Sequence, residues 1–339
     1  MRSTAYTWKV TKYDPADFDG HYVGTLSSFT DHGPVEASYL DAVLAFARAS
    51  GTETLTVREP QVAPLTRSWP DRVPAGHVLY RILGDDLSAF HDGAEVSLEA
   101  AVELVREMLG GDDGVWCRLE HEDQFFVHIG WDMYMYIGSD DPCEDAVRSS
   151  RDAGLFPVEI ECSPHAFDQD DHDDVVDRPG DDEFWRAVAS ILQDEDHLLL
   201  EESSVQNASR WHRITRHNVG EVRAMLQPRA MVTILPGMTD DAASVVTHVE
   251  ANLDDSGFDV VWSDETGTVR GVLVMDAEDL DGCRDGLRAA RAAASFPFTV
   301  DDRPRLCTAT MPDADGVLRA RWRPDPAPAD RDWAARVEP

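Results

Sequence analysis

The stretch CSPHAFDQDDHDD, which begins at Cys162, concentrates residue types that ligate metals. Cys162, His165 and His172 would supply a thiolate and two imidazoles, and Asp168 and Asp173 would add carboxylates. Zinc sites usually combine two close ligand pairs on ordered elements. Here the ligands run into an acidic segment, so the pattern is also typical of a segment that holds no metal. No cofactor is predicted.

Histidines adjacent to carboxylates are the other acid/base candidates. They occur at Asp31-His32 and His121-Glu122, and His217 stands alone. General acid/base chemistry needs such groups to converge in a pocket with tuned pKa values, which adjacency in sequence does not provide. These residues are therefore predicted to be ordinary surface groups.

Three arginines in GVLRARWRP share one face if the segment is a strand. They are Arg319, Arg321 and Arg323. Together they would form a clamp for an anion or a carboxylate, or they would line a solvated sheet face. The chain has no glycine-rich phosphate loop, HExxH, GxSxG or dinucleotide fingerprint. Enzymes that depend on those motifs are disfavoured.

The charge of the chain narrows the classes of partner. Its formal net charge is −35, and Lys9 and Lys12 are the only lysines among 30 basic residues. Nucleic-acid binding needs clustered cations that displace counterions from phosphates, so a direct DNA or RNA partner is not expected. Two interpretations remain open. One is acidity that serves solubility alone, as in a salt-adapted or GC-rich genome, and the other is a basic protein partner.

Length and composition are those of a globular protein. The 339 residues allow two domains, and no apolar run approaches the roughly 18 residues of a membrane helix. The first 15 residues carry no apolar export segment, and the five cysteines form no CxxC pair. We therefore expect a cytoplasmic protein with reduced thiols and no membrane partner.

Periodicity predicts an α+β fold made of two modules with antiparallel sheets. The predicted first module, 1–164, contains helices and a strand meander at about 115–120, 124–130 and 133–138, and HVLYRIL (77–83) is predicted as a strand. An acidic linker follows at 165–183. The predicted second module, 184–324, is ferredoxin-like (β-α-β-β-α-β), with its last helix running through EDLDGCRDGLRAARAAA. Residues 325–339 are predicted as a disordered tail.

The meander segment FFVHIGWDMYMYIG is aromatic on both faces. Its aliphatic side chains belong under the helices of the module, whereas the opposite face of an antiparallel sheet is normally wet and polar. That face is predicted either to be covered within the chain or to bind a protein partner. The candidate partner-binding residues are Phe126, His128, Trp131, Asp132, Tyr134 and Tyr136.

Four segments of the first module carry a resemblance. WKVTKYDP, VWCRLE, FVHIGWDMYMYIG and GLFPVEIECSPH resemble a group of small bacterial α+β proteins over about residues 5–165. The resemblance implies a tyrosine-rich sheet and no particular activity. At the level of protein class, acidic α+β chains of this kind are also similar to immunity proteins that neutralise toxins.

The leading hypothesis is a non-enzymatic, acidic protein-binding module. Its partner would be a basic protein, and a nuclease-type toxin neutralised by an immunity protein would satisfy the charge pattern. The alternative is an enzyme, with or without a metal, that acts on a small polar substrate between the two modules. In that case His128 or His165 would transfer the proton or bind the metal.

Overall fold

The computed structural model describes residues 4–19, 21–26, 32–62, 73–85, 87–110, 114–122, 124–130, 134–164, 176–206, 208–254, 256–299 and 302–337. The chain divides into two compact units, Met1–Ala63 with Ala75–Asp171 and Pro64–Pro74 with His172–Pro339. The main division lies within the segment that the sequence assigns to an acidic linker. Over the described ranges, the helices are too short or too polar for any of them to cross a bilayer.

The described residues of unit 1 form seven strands and four α-helices. In chain order they are β1 (Tyr6–Thr11), α1 (Pro34–Ala49), β2 (Thr54–Gln61), α2 (Val78–Leu83), β3 (Glu95–Ser97), α3 (Leu98–Gly110), β4 (Trp116–His121), β5 (Phe125–Ile129), β6 (Met135–Ser139), α4 (Glu144–Asp152) and β7 (Phe156–Ile160). The strands form one antiparallel sheet in the order β3-β2-β4-β5-β6-β1-β7. The predicted meander is confirmed as β4, β5 and β6.

One face of this sheet is apolar and packs under helices. The register places Val57, Leu119, Val127, Ile137 and Trp8 in a row across five strands. All five are buried, and the Trp8 ring lies 5.0 Å from the Phe46 ring of α1. Burying side chains of this size contributes about 1.5–3 kcal/mol each, so this row is a main source of stability for unit 1.

One predicted strand of unit 1 is wrong. HVLYRIL forms α2, and the His77 imidazole caps it by accepting a hydrogen bond from the Leu79 N–H at 3.3 Å. Val78 and Leu79 are buried while Arg81 is exposed. A strand prediction was reasonable because six residues are too few for helical periodicity to be distinguished from alternation.

Where unit 2 is described, it has seven strands and five α-helices. They are α5 (Asp182–Ile191), β8 (Leu198–Val205), β9 (Ala208–Ile214), α6 (Val219–Met225), β10 (Met231–Leu235), α7 (Ala242–Asn252), β11 (Phe258–Ser263), β12 (Val269–Val274), α8 (Ala277–Arg288), β13 (Ala292–Pro297), β14 (Cys307–Thr310) and α9 (Pro328–Val337). The strands form a four-stranded sheet, β14-β10-β8-β9, and a three-stranded sheet, β12-β11-β13.

The two sheets of unit 2 pack face to face between helices. Leu199, Trp211 and Leu235 of the four-stranded sheet share an apolar cluster with Val261 and Phe296 of the three-stranded sheet. The outer face of the four-stranded sheet packs on α5 and α6, and the outer face of the three-stranded sheet packs on α7 and α8. Unit 2 is therefore a four-layer helix-sheet-sheet-helix sandwich, within the predicted α+β class.

The ferredoxin-like detail predicted for this region is not confirmed. β10 pairs with β8 and β14, whereas β11 and β12 lie in the other sheet with β13. The β8–β9 hairpin was missing from the prediction, and β8 occupies the edge of β10 that a ferredoxin-like sheet would give to the β11–β12 hairpin. The predicted last helix also ends early, at Arg288, because the alanines at 292–294 belong to β13.

The predicted disordered tail is also wrong over 328–337, where α9 forms. Asp330 of this helix is fully buried. It pairs with Arg178 at 2.5 Å and accepts hydrogen bonds from the Thr308 backbone at 2.9 Å and the Thr308 hydroxyl at 2.8 Å. A buried carboxylate loses its hydrogen bonds to water, and these donors take their place. They anchor α9 to β14 despite the low hydrophobicity of the helix.

Candidate functional site

Part of the predicted metal segment lies outside the described residues. This applies to His165, Asp168, His172 and Asp173, while Cys162 is exposed. In the portion of the chain that is described, His, Cys, Asp and Glu side chains nowhere form a group of three or more able to hold a metal ion. The metal hypothesis therefore stays a prediction.

Three histidines that stand apart from the metal segment have separate local neighbours. His32 lies 3.6 Å from Glu36, and the His121 Nδ1 lies 3.0 Å from the Thr54 carbonyl. His217 is exposed near the start of α6. His32 is exposed as well and His121 is half-buried, while Asp31 lies outside the described residues.

The premise of an uncovered aromatic face does not hold for three of the six predicted partner-binding residues. Phe126, His128 and Tyr136 are only 3%, 0% and 5% exposed. Trp131 and Asp132 lie outside the described residues, and Tyr134 is half-buried. The reason is that this face is sheltered within the chain, so these three side chains do not present a docking surface. Of the described members, only Tyr134 has surface for a partner.

A network of charged and polar groups occupies the sheltered face. His128 Nδ1 lies 3.1 Å from the Ser163 hydroxyl, and His128 Nε2 lies 3.5 Å from Glu120. Arg58 continues the network, 3.8 Å from Glu120 and 3.5 Å from Asp92. Burying a charge is costly unless an opposite charge lies close to it, and here Arg58 lies within ion-pair distance of both Glu120 and Asp92.

The order Ser163, His128, Glu120 matches the residue types of a hydrolase triad. Nucleophilic catalysis also requires that a substrate reach the hydroxyl. Ser163 is 3% exposed, so its hydroxyl is closed to a substrate. The geometry instead fixes the orientation of the His128 ring, which stacks on Phe126 at 4.3 Å. We interpret the network as a structural element of unit 1.

An exposed apolar surface lies beside Tyr134. Its members are Phe18, Tyr22, Val23, Leu26 and Tyr134, and we call it the Tyr22 surface. Phe18, Val23 and Leu26 are 42%, 58% and 45% exposed. Monomeric proteins expose single apolar residues commonly, but adjacent large ones usually mark an interaction site.

Local hydrogen bonds hold the Tyr22 surface together. Phe18 and Tyr22 form a β-bridge, and their rings lie 5.6 Å apart. The Tyr22 hydroxyl accepts a hydrogen bond from the Leu26 N–H at 3.2 Å. Upstream, the Asp14 carboxylate accepts from the Ala16 N–H at 2.8 Å and caps a short 3-10 helix at Pro15–Asp17. The chain therefore turns sharply after β1, and Phe18, Tyr22 and the backbone of Leu26 lie close together.

The buried Tyr13 ring connects the two parts of the Tyr22 surface. It lies 4.5 Å from the Tyr22 ring and meets the Tyr134 ring edge-on at 5.9 Å. The two lysines of the chain also lie here, with Lys9 Nζ 4.8 Å from the Tyr134 ring and Lys12 Nζ 5.2 Å from the Tyr13 ring. Such cation–π contacts fix the rings, so the surface is preorganised for binding.

A second candidate site lies in unit 2, in a groove of about 500 Å³ on the inner face of the four-stranded sheet. The register sets Met231 opposite Ser203 and Thr233 opposite Glu201 on this face. The next pair, Leu235 and Leu199, is covered by the three-stranded sheet. The groove therefore begins where that cover ends, and we call it the arginine groove because Arg303, Arg305 and Arg323 line it.

Carboxylates and carbonyls position these arginines. Arg303 donates to Glu201 at 2.6 Å and to Asp259 at 2.7 Å. Burial lowers the pKa of Arg303, but the charges of Glu201 and Asp259 outweigh it, so the pKa lies above its ordinary value. Arg305 donates to the Asp325 carbonyl at 3.0 Å, and Arg323 pairs with Asp177.

The predicted clamp of Arg319, Arg321 and Arg323 does not form as one face of a strand. No strand is present over 317–327, and Arg319 pairs with Asp313 at 2.9 Å and Asp315 at 2.6 Å. The Arg319 hydrogen bond lowers the pKa of Asp315 to about 2. Of the three arginines, the groove takes Arg323 alone. Sequence reasoning missed Arg303 and Arg305, whose only signal was the short RPR motif.

Three comparisons, with protein-family models, with curated proteins and with solved structures, return no match.

Proposed function

We propose that the protein is a non-enzymatic binding module for a basic protein and that the Tyr22 surface is its docking face. The observation that supports this proposal most directly is the cluster of exposed Phe18, Val23 and Leu26 around Tyr22 and Tyr134. Aromatic side chains dominate binding energy at protein interfaces because they bury a large area with few rotatable bonds.

The charge of the chain supports a basic partner. A net charge of −35 produces an attractive field for a cationic protein over distances of about 10 Å at 0.1 M salt. Electrostatic attraction raises the association rate, whereas buried apolar contacts slow dissociation. The acidic field and the Tyr22 surface would thus supply the two parts of a stable complex.

The finer proposal is that the partner is a toxin of the nuclease type and that the protein inhibits it. Nuclease active sites are positively charged because their substrate is a polyanion. An acidic protein competes for such a cleft by charge complementarity. This part of the proposal depends on the identity of the partner and is tested separately below.

The experiment is capture from a lysate of the source cells at low salt, followed by identification of the captured protein and measurement of its dissociation constant with purified components. The variant is Phe18→Ala with Leu26→Ala, and the control is Val158→Ala, a 41%-exposed residue on the edge strand β7. We expect a basic partner whose affinity falls at least tenfold in the double variant and is unchanged in the control. A partner that binds all three proteins equally would contradict the proposal.

The inhibitor proposal requires one further measurement. The identified partner is assayed for nuclease activity, with and without one equivalent of this protein. Loss of activity at a 1:1 ratio supports an immunity function. A basic partner that retains its activity would leave the binding module in place and would overturn the inhibitor proposal.

A further inference from the structure

We propose that the arginine groove of unit 2 binds a small organic oxyanion, a carboxylate or a phosphate ester attached to a flat apolar group. This inference is independent of the Tyr22 surface, which lies in unit 1. It goes beyond the proposed binding of a protein partner because it assigns a ligand site to unit 2.

Arginines converge on one region of unit 2. A second cavity of about 460 Å³ shares Arg303 and Arg305 with the groove and adds Arg331. Four arginines and three acidic residues line the two cavities, and Asp259 and Asp177 pair with Arg303 and Arg323 from outside the lining. The formal charge of these nine residues is −1 in a chain of net charge −35, so an anion meets much less repulsion here than over the chain as a whole.

The guanidinium groups of these arginines are largely shielded from water and held in fixed positions. The side chains of Arg303 and Arg305 are only 12% and 13% exposed, and that of Arg323 is 11% exposed. Arg303 Nε is buried and has no hydrogen-bond acceptor among the residues that the structure describes. Arginine presents a planar set of donors that matches carboxylate and phosphate oxygens. Positioned donors of this kind bind an oxyanion with little loss of side-chain entropy.

Serine hydroxyls and aromatic rings complete the lining of the groove. Ser203 and Ser209 hydroxyls lie 3.0 Å apart on the floor, and the Ser209 hydroxyl donates to Glu201 at 2.7 Å. Glu201 shares Arg303 with Asp259 and accepts a further hydrogen bond from Ser209. The ligand would therefore meet Arg305 and Arg323 at the rim. Trp322 and the 44%-exposed Phe298 supply apolar walls. This combination favours an anion that carries a flat apolar group over an inorganic ion.

The test is isothermal titration calorimetry of the full chain with inorganic phosphate and with four organic probes of similar size: phenyl phosphate, benzoate, benzyl alcohol and benzylamine. We expect saturable binding of phenyl phosphate or benzoate at one site per chain, and none of the alcohol or the amine. Preference between the two anions distinguishes a phosphate ester from a carboxylic acid. Absence of saturable binding for both anions, or equal binding of benzylamine, would overturn the proposal.

Two variants locate the site. Arg305→Gln should lower the affinity for the anion at least tenfold. Arg288→Gln should leave the affinity unchanged, because Arg288 is an exposed arginine of α8 that pairs with Asp285. Phe298→Ala should weaken phenyl phosphate more than inorganic phosphate, and because Phe298 is exposed this variant is expected to fold. Circular dichroism melting checks folding in each case. Binding unchanged in both Arg305→Gln and Phe298→Ala would place the anion elsewhere and overturn the assignment.

Discussion

At the scale of single residues, two tyrosines of one segment have opposite surroundings. Tyr136 is 5% exposed and sits opposite His128 and Lys9 in the sheet register, whereas Tyr134 precedes β6 and is half-buried. Alternation alone assigned both to one face. It could not show that the chain covers the part of this face within β6, because that depends on residues distant in sequence, such as Ser163.

This difference predicts that truncating the two rings lowers the free energy of unfolding by different amounts. Tyr136→Ala removes a fully packed ring and should lower the free energy of unfolding by about 3–5 kcal/mol, the range found for large aromatic residues. Tyr134→Ala loses the edge contact with Tyr13 and the cation–π contact with Lys9 at a half-buried position and should cost less, about 1–2.5 kcal/mol. Urea denaturation of the two variants measures both values. Equal losses would show that the described burial is wrong.

Thiol accessibility gives a second residue-scale prediction. Cys162 is exposed, and the other four cysteines are buried. Burial, with the nearby Asp330 charge, raises the pKa of the Cys307 thiol to about 12, and burial also raises that of Cys117. At pH 8 the folded protein should therefore react rapidly with one equivalent of a thiol reagent such as Ellman's reagent.

The matched variant is Cys162→Ser, in which the rapid phase should disappear. In denaturant, the unmodified protein should react with five equivalents. Two or more rapid thiols in the native chain would contradict the prediction, because only thiolates react and buried thiols stay protonated.

At the scale of elements, the predictable parts are those with long and regular patterns. The meander β4–β6 follows strand alternation and is bounded by turns, so sequence alone located it. Elements whose stability comes from a single distant contact were not predictable. The clearest case is α9, whose sequence resembles a polar tail and whose Asp330 is buried against Arg178.

The anchoring of α9 yields a third prediction. Asp330→Ala leaves the buried Arg178 without its partner and removes the hydrogen bonds to Thr308 and Ala327. Removal of one member of a buried pair typically costs about 3–5 kcal/mol. We expect a loss of that size in urea denaturation, together with increased proteolysis of the last 12 residues.

Asp285→Ala is the control for this change, since Asp285 is an exposed member of an ion pair on α8. Exposed pairs contribute about 0–1 kcal/mol. If Asp330→Ala behaved like Asp285→Ala, then α9 would not be held by its buried carboxylate.

The two candidate sites also differ in what sequence could reveal. The Tyr22 surface lies mostly within residues 18–26 and joins Tyr134, which was already a candidate. The arginine groove draws on β8, β9, β10 and two later loops, so its residues are spread over more than 100 positions. Such a site has no local motif. It depends on the face-to-face packing of two sheets, which the ferredoxin-like prediction did not include.

At the scale of the whole molecule, the net charge of −35 affects stability as well as binding. Like charges repel within the folded chain, and salt screens this repulsion. We expect the melting temperature to rise when NaCl is increased from about 20 mM to about 500 mM, although exposed ion pairs weaken, because those pairs contribute little. A fall in melting temperature over this range would show that ion pairs outweigh self-repulsion.

Salt should act on partner binding in the opposite direction. Because screening weakens attraction between an acidic and a basic protein, the association rate should fall with NaCl while the dissociation rate changes less. Stopped-flow or surface-based kinetics separates the two. Affinity that is independent of salt would remove the support that the net charge gives to a basic partner.

Site-specific photo-crosslinking in the source cells tests the central claim most directly. Phe18 on the Tyr22 surface and Val158 on β7, which are 42% and 41% exposed, are each replaced by p-benzoylphenylalanine. The account predicts a single crosslinked product with a basic protein from position 18 and none of that product from position 158. No product from position 18, or the same product from both positions, would contradict the assignment of the Tyr22 surface as the docking face.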